Sequence, residues 1–282
     1  MKLLPLSGTL FAMAFLASAQ AHAAAANVSA APAPKLGSTA FLWDQLTVQP
    51  SGVGERRDVA RNPTTTLAEL ECHISTLNPG LPSHPPHRHP QEELIIIKEG
   101  ALEVHINGVE RHVEAGGLFF FAAYDSHAVR NAGKVPSTYY VFNFTTALTK
   151  SIPPIPAAES AGPGQLGSTI FEWEQLKVVP TAKGERRDVV DSPTVTCTNF
   201  ECHATTLRAG EVAHPSHRHP DEELIVVKEG TMQATVEGVV HQGGPGTIFF
   251  FGSNDQHGLS NIGRTNATYY VIRIVTAGTP KN

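Results

Sequence analysis

The chain has 282 residues, of which 41% are hydrophobic and 17% are charged, so it can bury a core and lacks the composition of a disordered protein. Its formal net charge of −5 provides no basic surface to attract nucleic acid, and we expect no nucleic-acid partner. The 24 glycines and 21 prolines predict many turns, which favours an all-β fold.

The first 23 residues have the features of a secretory signal peptide. Lys2 supplies a positive charge, residues 10–16 are apolar, and Ala21-His22-Ala23 places small residues before a cleavage site after Ala23, with Ala21 as the neighbouring option. The alternative is an uncleaved membrane anchor, but the apolar stretch is short for a bilayer span. We therefore expect a periplasmic or secreted protein that has no membrane partner after cleavage.

A repeat with a constant offset of 130 residues organises the rest of the chain. Gly-Glu-Arg-Arg-Asp occurs at 54–58 and 184–188, and His-Arg-His-Pro occurs at 87–90 and 217–220. The period is too long for a solenoid unit, so each half is predicted to be one domain. The predicted boundaries are an Ala/Pro-rich linker at 24–36, a domain at 37–147, a Pro/Gly-rich linker at 148–166 and a second domain at 167–278.

Short strands separated by turns fill each half. Residues 93–97 are rich in β-branched side chains and are followed by Gly100. Residues 102–106 alternate between apolar and polar side chains, and Asn107-Gly108 then forms a favoured hairpin turn. Because no helical periodicity interrupts these strands, the sequence predicts an all-β protein built as an antiparallel sandwich or barrel.

Histidines in each half have the spacing of a metal site. His87 and His89 are two residues apart, so on a strand both would face the same side, and Glu93 has the same parity. His127 is the expected donor from another strand. The alternative is that these are unrelated surface or core histidines, whose pattern a duplication would copy without meaning. The predicted ligands of the two sites are His87, His89, Glu93 and His127, and His217, His219, Glu223 and His257.

The same residues resemble the two motifs of the cupin family. The first motif contains a glycine, His-x-His, a glutamate and a second glycine, which here are Gly80, His87, His89, Glu93 and Gly100, and Gly210, His217, His219, Glu223 and Gly230. The second contains a glycine, Pro-x-Gly, a histidine and an asparagine, which here are Gly116, His127 and Asn131, and Gly246, His257 and Asn261. The Pro-x-Gly positions differ, and hold Ala122 and Tyr124, and Gly252 and Asn254. The resemblance implies two tandem jelly-roll, or double-stranded β-helix, barrels with a metal inside each mouth, and hence a bicupin.

Three imidazoles and one carboxylate suit a divalent transition metal. Mn or Fe(II) is favoured, and Zn, Ni or Cu would also fit these ligands. The cupin resemblance implies a metalloenzyme that acts on a small organic molecule, with dioxygenase-, decarboxylase- or other oxidoreductase-like chemistry. The alternative is a non-catalytic, metal-dependent protein that binds a sugar or organic acid or serves for storage. The sequence leaves open whether the chain forms a homo-oligomer.

Three further residues are candidates for catalysis. Asp125 and Asp255 precede the last histidine of each site by two residues, and either could act as a general base or accept a hydrogen bond from a ligand. The alternative for an aspartate in a loop is to cap backbone N–H groups. Arg273 replaces Asn143 in the last strand of the second half, where it could hold an anionic substrate or lie on the surface.

Four more histidines have open alternatives. His84 and His214 precede the first ligand by three residues, so they either orient an imidazole or lie in a loop. His73 and His203 lie on the preceding strand and either line a pocket or face outward.

Cysteines and phenylalanines are expected to pack. Cys72, Cys197 and Cys202 are interpreted as small buried apolar residues, with a structural disulfide as the alternative. Each phenylalanine triplet, at 119–121 and 249–251, is predicted to place two rings on one face of a strand and one on the other.

Overall fold

A computed structural model describes residues 33–154 and 160–281, so the predicted signal peptide lies outside the described residues. The strands of the first half are β1 (Thr39–Phe41), β2 (Gln49–Ser51), β3 (Gly54–Asn62), β4 (Glu69–Leu77), β5 (Glu92–Glu99), β6 (Ala101–Ile106), β7 (Val109–Glu114), β8 (Leu118–Phe121), β9 (His127–Arg130) and β10 (Ser137–Thr145). Those of the second half are β11 (Thr169–Phe171), β12 (Val178–Thr181), β13 (Gly184–Ser192), β14 (Asn199–Leu207), β15 (Val212–His217), β16 (Glu222–Glu229), β17 (Met232–Val236), β18 (Val239–Gly243), β19 (Ile248–Phe251), β20 (His257–Asn261) and β21 (Ala267–Val275).

The remaining regular elements are three single turns of 3-10 helix, at Trp43–Gln45, Thr149–Ser151 and Trp173–Gln175. No α-helix occurs in the described residues, as the absence of helical periodicity predicts. None of the helical turns described is long or apolar enough to cross a membrane.

The strands form two jelly-roll barrels, each made of two sheets. The larger sheet of the first barrel has the strand order β11-β8-β5-β10-β4-β3-β2, and its smaller sheet has the order β7-β6-β9. The second barrel has a larger sheet with the order β1-β19-β16-β21-β14-β13-β12 and a smaller sheet with the order β15-β20-β17-β18. The all-β, tandem-barrel prediction is therefore confirmed.

Side-chain alternation along the strands divides the core into three apolar clusters. Each barrel has an interior cluster, and a third cluster collects side chains from both halves. Phe119 and Phe121 lie in the interior of the first barrel, whereas Phe120 lies in the shared cluster, where its ring centroid is 5.1 Å from that of Phe200. The prediction that two phenylalanines face one side of the strand and one faces the other is thus correct. The outward ring of Phe120 packs against the second half of the chain.

The three cysteines are buried and free in the described structure, in the same shared cluster. Burial raises the pKa of the Cys202 thiol because the charged thiolate would lose its hydration. These residues act as small apolar side chains, as expected from the sequence.

The first strand of each half pairs with the sheet of the other half. β1 pairs antiparallel with β19 of the second barrel, and β11 pairs antiparallel with β8 of the first barrel. The hydroxyl of Ser168, just before β11, donates a 2.6 Å hydrogen bond to Oδ2 of Asp125. The hydroxyl of Ser38, just before β1, donates equivalently to Oδ2 of Asp255 at 2.5 Å. Each large sheet therefore contains one strand from the other half of the chain.

A buried glutamate from each barrel is bound by a loop of the other. Oε2 of Glu92 accepts hydrogen bonds from the hydroxyls of Thr194 and Thr196, and Oε1 accepts one from the Val195 amide at 2.9 Å. Glu222 receives the equivalent bonds from the loop at 64–66. Because Glu92 is 0% exposed, removing its carboxylate leaves buried donors without an acceptor.

Substitution of Glu92 by alanine should therefore lower the free energy of unfolding by about 2–4 kcal/mol. Glu110→Ala is the matched control, since Glu110 is exposed on β7 and should leave stability nearly unchanged. Urea denaturation of both variants measures the difference. Equal midpoints for the two variants would contradict a stabilising role for this contact.

Candidate metal centre

Three imidazoles converge at one end of each barrel. His127 begins β9, and His87 pairs with it through two main-chain hydrogen bonds of 3.1 Å, while His89 follows two residues later in a turn. Ligand nitrogens of the three rings lie within 4.8 Å of one another. The second barrel repeats the arrangement with His217 at the end of β15, His219, and His257 at the start of β20.

Main-chain carbonyl groups orient the three rings. Nδ1 of His127 donates to the Asp125 carbonyl oxygen at 2.8 Å, and Nδ1 of His89 donates to that of Gln91 at 3.0 Å. A carbonyl oxygen can only accept, so the proton of each neutral ring is on Nδ1. The Nε2 atoms therefore carry free lone pairs, which is the form that binds a metal.

The Nε2 atoms fit a metal ion because they are otherwise unpaired. Nε2 of His127 and of its counterpart His257 is buried and has no hydrogen-bond partner among the described residues. A buried polar atom left unpaired costs about 1–3 kcal/mol, so an ion at this point would remove a real penalty. Each barrel therefore contains a three-histidine group that can bind a divalent metal.

The two glutamates predicted as ligands adjoin these groups. Oε2 of Glu93 lies 3.5 Å from Nε2 of His89, and Oε2 of Glu223 lies 3.4 Å from Nε2 of His219. Burial alone would raise the pKa of Glu93, but His89, His127 and His73 together outweigh burial and lower it. The carboxylate is therefore ionised and available as a fourth ligand.

His219 differs in its protonation from the buried last histidine of each barrel. Burial lowers the pKa of His127 to about 4 and also lowers the pKa of its counterpart His257, so His127 is neutral at pH 7. Burial also disfavours the protonated form of His219, but the carboxylates of Asp221 and Glu223 outweigh burial and raise its pKa to about 9. Gln91 occupies the position of Asp221 in the first barrel and contributes no charge.

A polar cluster on β3 and β4 faces the same cavity in the first barrel. Oε1 of Glu71 accepts hydrogen bonds from Nδ1 of His73 at 2.8 Å and from Arg56 at 3.0 Å. Burial acts to raise the pKa of Glu71, yet the hydrogen bonds from His73 and Asn143 help to lower it to about 2. The cavity above the histidines has a volume of about 450 Å³ in the first barrel and about 570 Å³ in the second.

Of these polar residues, His73 was identified from the sequence only as one of two alternatives, and the structure places it in the cavity. Arg56 was missed as a site residue. The signal that could have revealed it is parity, because Arg56 and Glu71 lie on adjacent strands with interior-facing positions.

The corresponding cluster of the second barrel is incomplete. Glu201 contacts His203 and Arg186, but its Oε2 atom is buried and has no hydrogen-bond partner in the described chain. In the first barrel the equivalent oxygen accepts a hydrogen bond from Asn143. Arg273 replaces this asparagine, but its Nε donates to Asp221 instead, at 2.6 Å.

Of the remaining candidate residues, two histidines line the cavities, and two aspartates bind the segments that precede β1 and β11, which are called the exchanged strands because each joins the sheet of the other half. His84 and His214 line the cavities, and the ring centroid of His84 is 4.0 Å from that of His87. Among the described residues, neither Asp125 nor Asp255 lines the cavity above the histidines. Both carboxylates instead accept hydrogen bonds from the serines that precede the exchanged strands.

A family model described as a cupin domain matches the chain twice, at residues 73–143 and 204–273. The chain belongs to the cupin family. Because the two matches correspond to the two barrels, the protein is a bicupin. A comparison with curated proteins finds no significant match.

Solved structures share the bicupin fold at low sequence identity. AerE from Microcystis aeruginosa has a TM-score of 0.62 and 16% identity, over 82% of this chain and 98% of its own. A mutant of oxalate decarboxylase OxdC from Bacillus subtilis has a TM-score of 0.62 and 14% identity, over 87% and 79%. The YlbA protein of E. coli has a TM-score of 0.64 and 11% identity, over 90% and 97%. At these identities the similarity shows the fold alone.

Single substitutions should remove the metals one at a time. We expect His87→Ala and His217→Ala each to lose one of two bound ions per chain, because each removes one imidazole from a different group. His112→Ala should keep both ions, since His112 is exposed on β7. Elemental analysis of the purified proteins measures the content. Retention of both ions by His87→Ala and His217→Ala would show that the ligands are wrongly assigned.

Metal binding should release more protons at the second centre than at the first. His219, with a pKa of about 9, is protonated at pH 7 and must lose a proton before Nε2 can bind an ion. His127, with a pKa of about 4, is already neutral. Calorimetric titration in two buffers of different ionisation enthalpy counts the protons, with His87→Ala reporting the second centre and His217→Ala the first. Affinity at the second centre should rise with pH up to about 9, and equal proton release at both centres would contradict the difference.

Proposed function

We propose that this protein is an exported bicupin metalloenzyme that acts on a small organic molecule with oxidoreductase chemistry. The observation that carries the proposal is the convergence of buried, unpaired Nε2 atoms below a polar cavity in each barrel. A structural metal site is usually closed by four protein ligands, whereas a cavity beside the ligands leaves room for substrate.

The metal would act as a Lewis acid or bind molecular oxygen as the oxidant. The protein would supply the ligands His87, His89, His127 and Glu93 in the first barrel and their counterparts in the second. Mn and Fe(II) are the favoured ions, and Mn(II) centres are named in the oxalate decarboxylase that shares the fold. The proposed location, periplasmic or secreted, is supported by the apolar N-terminal segment with small residues at 21 and 23.

Proton transfer would fall to His73 and His203. Nδ1 of His73 is held by Glu71, and the ring lines the cavity. Its other ring nitrogen has no hydrogen-bond partner among the described residues and is available to a bound substrate. A histidine oriented in this way by a carboxylate is suited to general acid–base catalysis. We assign no chemical step to Asp125 or Asp255, because their carboxylates bind the exchanged strands.

Oxygen uptake and carbon dioxide release by the metal-loaded protein, screened over small organic acids and phenols, test this function. We expect turnover that disappears in the His87→Ala/His217→Ala double variant and persists in His112→Ala. For the substrate found, the His73→Ala/His203→Ala variant should lower kcat by about 10² or more while both ions stay bound. Stoichiometric metal with tight ligand binding and no turnover would instead support the non-catalytic binding protein.

A further inference from the structure

The two cavities differ at equivalent positions, and two of these differences each add a basic side chain to the second, while Asp221 in place of Gln91 adds one acidic side chain. Lys183 lines the second cavity where Val53 lines the first, and Arg273 lines it where Asn143 lines the first. The metal-binding histidines themselves are the same in both. The specificity of the two barrels must therefore come from the residues around the histidines.

The two arginines of the first cavity each bind two acidic side chains. Arg56 contacts Asp58 at 2.7 Å and Glu71 at 3.0 Å. Arg61 contacts Glu69 at 3.0 Å and Glu71 at 3.5 Å. The side-chain amide of Asn143 donates to the remaining oxygen of Glu71. Each guanidinium binds carboxylates of the protein through two of its three nitrogen atoms, so neither keeps both terminal amino groups free for an anion.

Arg273 in the second cavity keeps donors available. Its Nε binds Asp221 at 2.6 Å, but its two terminal amino groups have no hydrogen-bond partner among the described residues. The side chain is 41% exposed, whereas Asp221 is only 7% exposed. Asp221 therefore fixes the plane of the guanidinium and leaves its outer edge free, which is the edge that binds a carboxylate through two hydrogen bonds.

The position of Arg273 relates it to the metal centre. On β21 it is paired in register with Glu223 on β16 and with Glu201 on β14. Glu223 adjoins His219, and Arg273 lines the same cavity as His217 and His219. Lys183 adds a second cation, whose amino group donates to the main-chain carbonyl oxygens of Val212 at 2.5 Å and Ala213 at 3.1 Å and to no carboxylate in the described chain.

We propose that the second barrel is specific for a small ligand that carries a carboxylate, which Arg273 binds, whereas the first barrel accepts a neutral ligand. This inference rests on the proposed metal-dependent function and names the ligand class of one of its two sites. The acidic groups around the site do not oppose an anion, because each has a cationic partner. Asp221 is paired with Arg273 and Glu201 with Arg186, and Glu223 is assigned as a ligand of the metal ion.

The repeat supplies the matched variants that test this. The double variant Asp221→Gln/Arg273→Asn gives the second barrel the glutamine and asparagine found at these positions in the first. The double variant Gln91→Asp/Asn143→Arg gives the first barrel the aspartate and arginine of the second. Each exchange is made in a chain with one metal centre removed, so that His87→Ala reports the second barrel and His217→Ala the first. Benzoate and its neutral analogue benzamide are titrated into each metal-loaded protein by calorimetry, and metal content is measured for each.

In the second barrel, the ratio of benzoate to benzamide affinity should fall by about 10- to 100-fold when Arg273 and Asp221 are replaced. In the first barrel, the reverse exchange should raise this ratio. Unchanged ratios in proteins that retain their metal would overturn the anion site and leave the metal centre intact. Loss of metal from both parent chains would refute the metal assignment instead, and absence of turnover has no bearing on this binding measurement.

Discussion

The function proposed here depends on the hydrogen bonds between histidine Nδ1 atoms and main-chain carbonyl oxygens. These bonds fix each ring and its tautomer, so that Nε2 of His89 and His127 faces a common point. Antiparallel main-chain pairing of His87 with His127 brings the third ring beside them. A metal site of this kind is therefore a property of the backbone of the barrel, and the residues around it can vary without moving the ligands.

The ligands could be predicted from the sequence because they follow a short local pattern. His-x-His and the constant offset of 130 residues place them without knowledge of the tertiary structure. The exchanged strands could not be predicted in this way. A strand of three residues such as β1 or β11 has no pattern that identifies which sheet it joins, and it pairs with a strand that is remote in sequence. The positions of Asp125 and Asp255 depend on this exchange, so their contacts were also beyond prediction.

Gene duplication supplied two equivalent sites, and a few substitutions distinguish them. In the first barrel Asn143 satisfies Glu71, whereas in the second Arg273 turns to Asp221 and leaves Oε2 of Glu201 buried without a partner among the described residues. An unsatisfied buried oxygen costs stability, and such costs are concentrated at functional sites. The second barrel thus combines a less favourable polar cluster with a guanidinium that has donors available to a ligand.

The exchange of first strands also bears on how such a protein is assembled. A chain of half this length would contain a first strand that completes the sheet of another copy, and two copies would join about a two-fold axis. When both halves are joined in one polypeptide, the pairing of the two barrels becomes intramolecular. Its strength then depends on the effective concentration set by the linker and not on the protein concentration. The paired barrels then persist at any dilution, and because each is encoded separately, one can change its ligand while the other keeps its own.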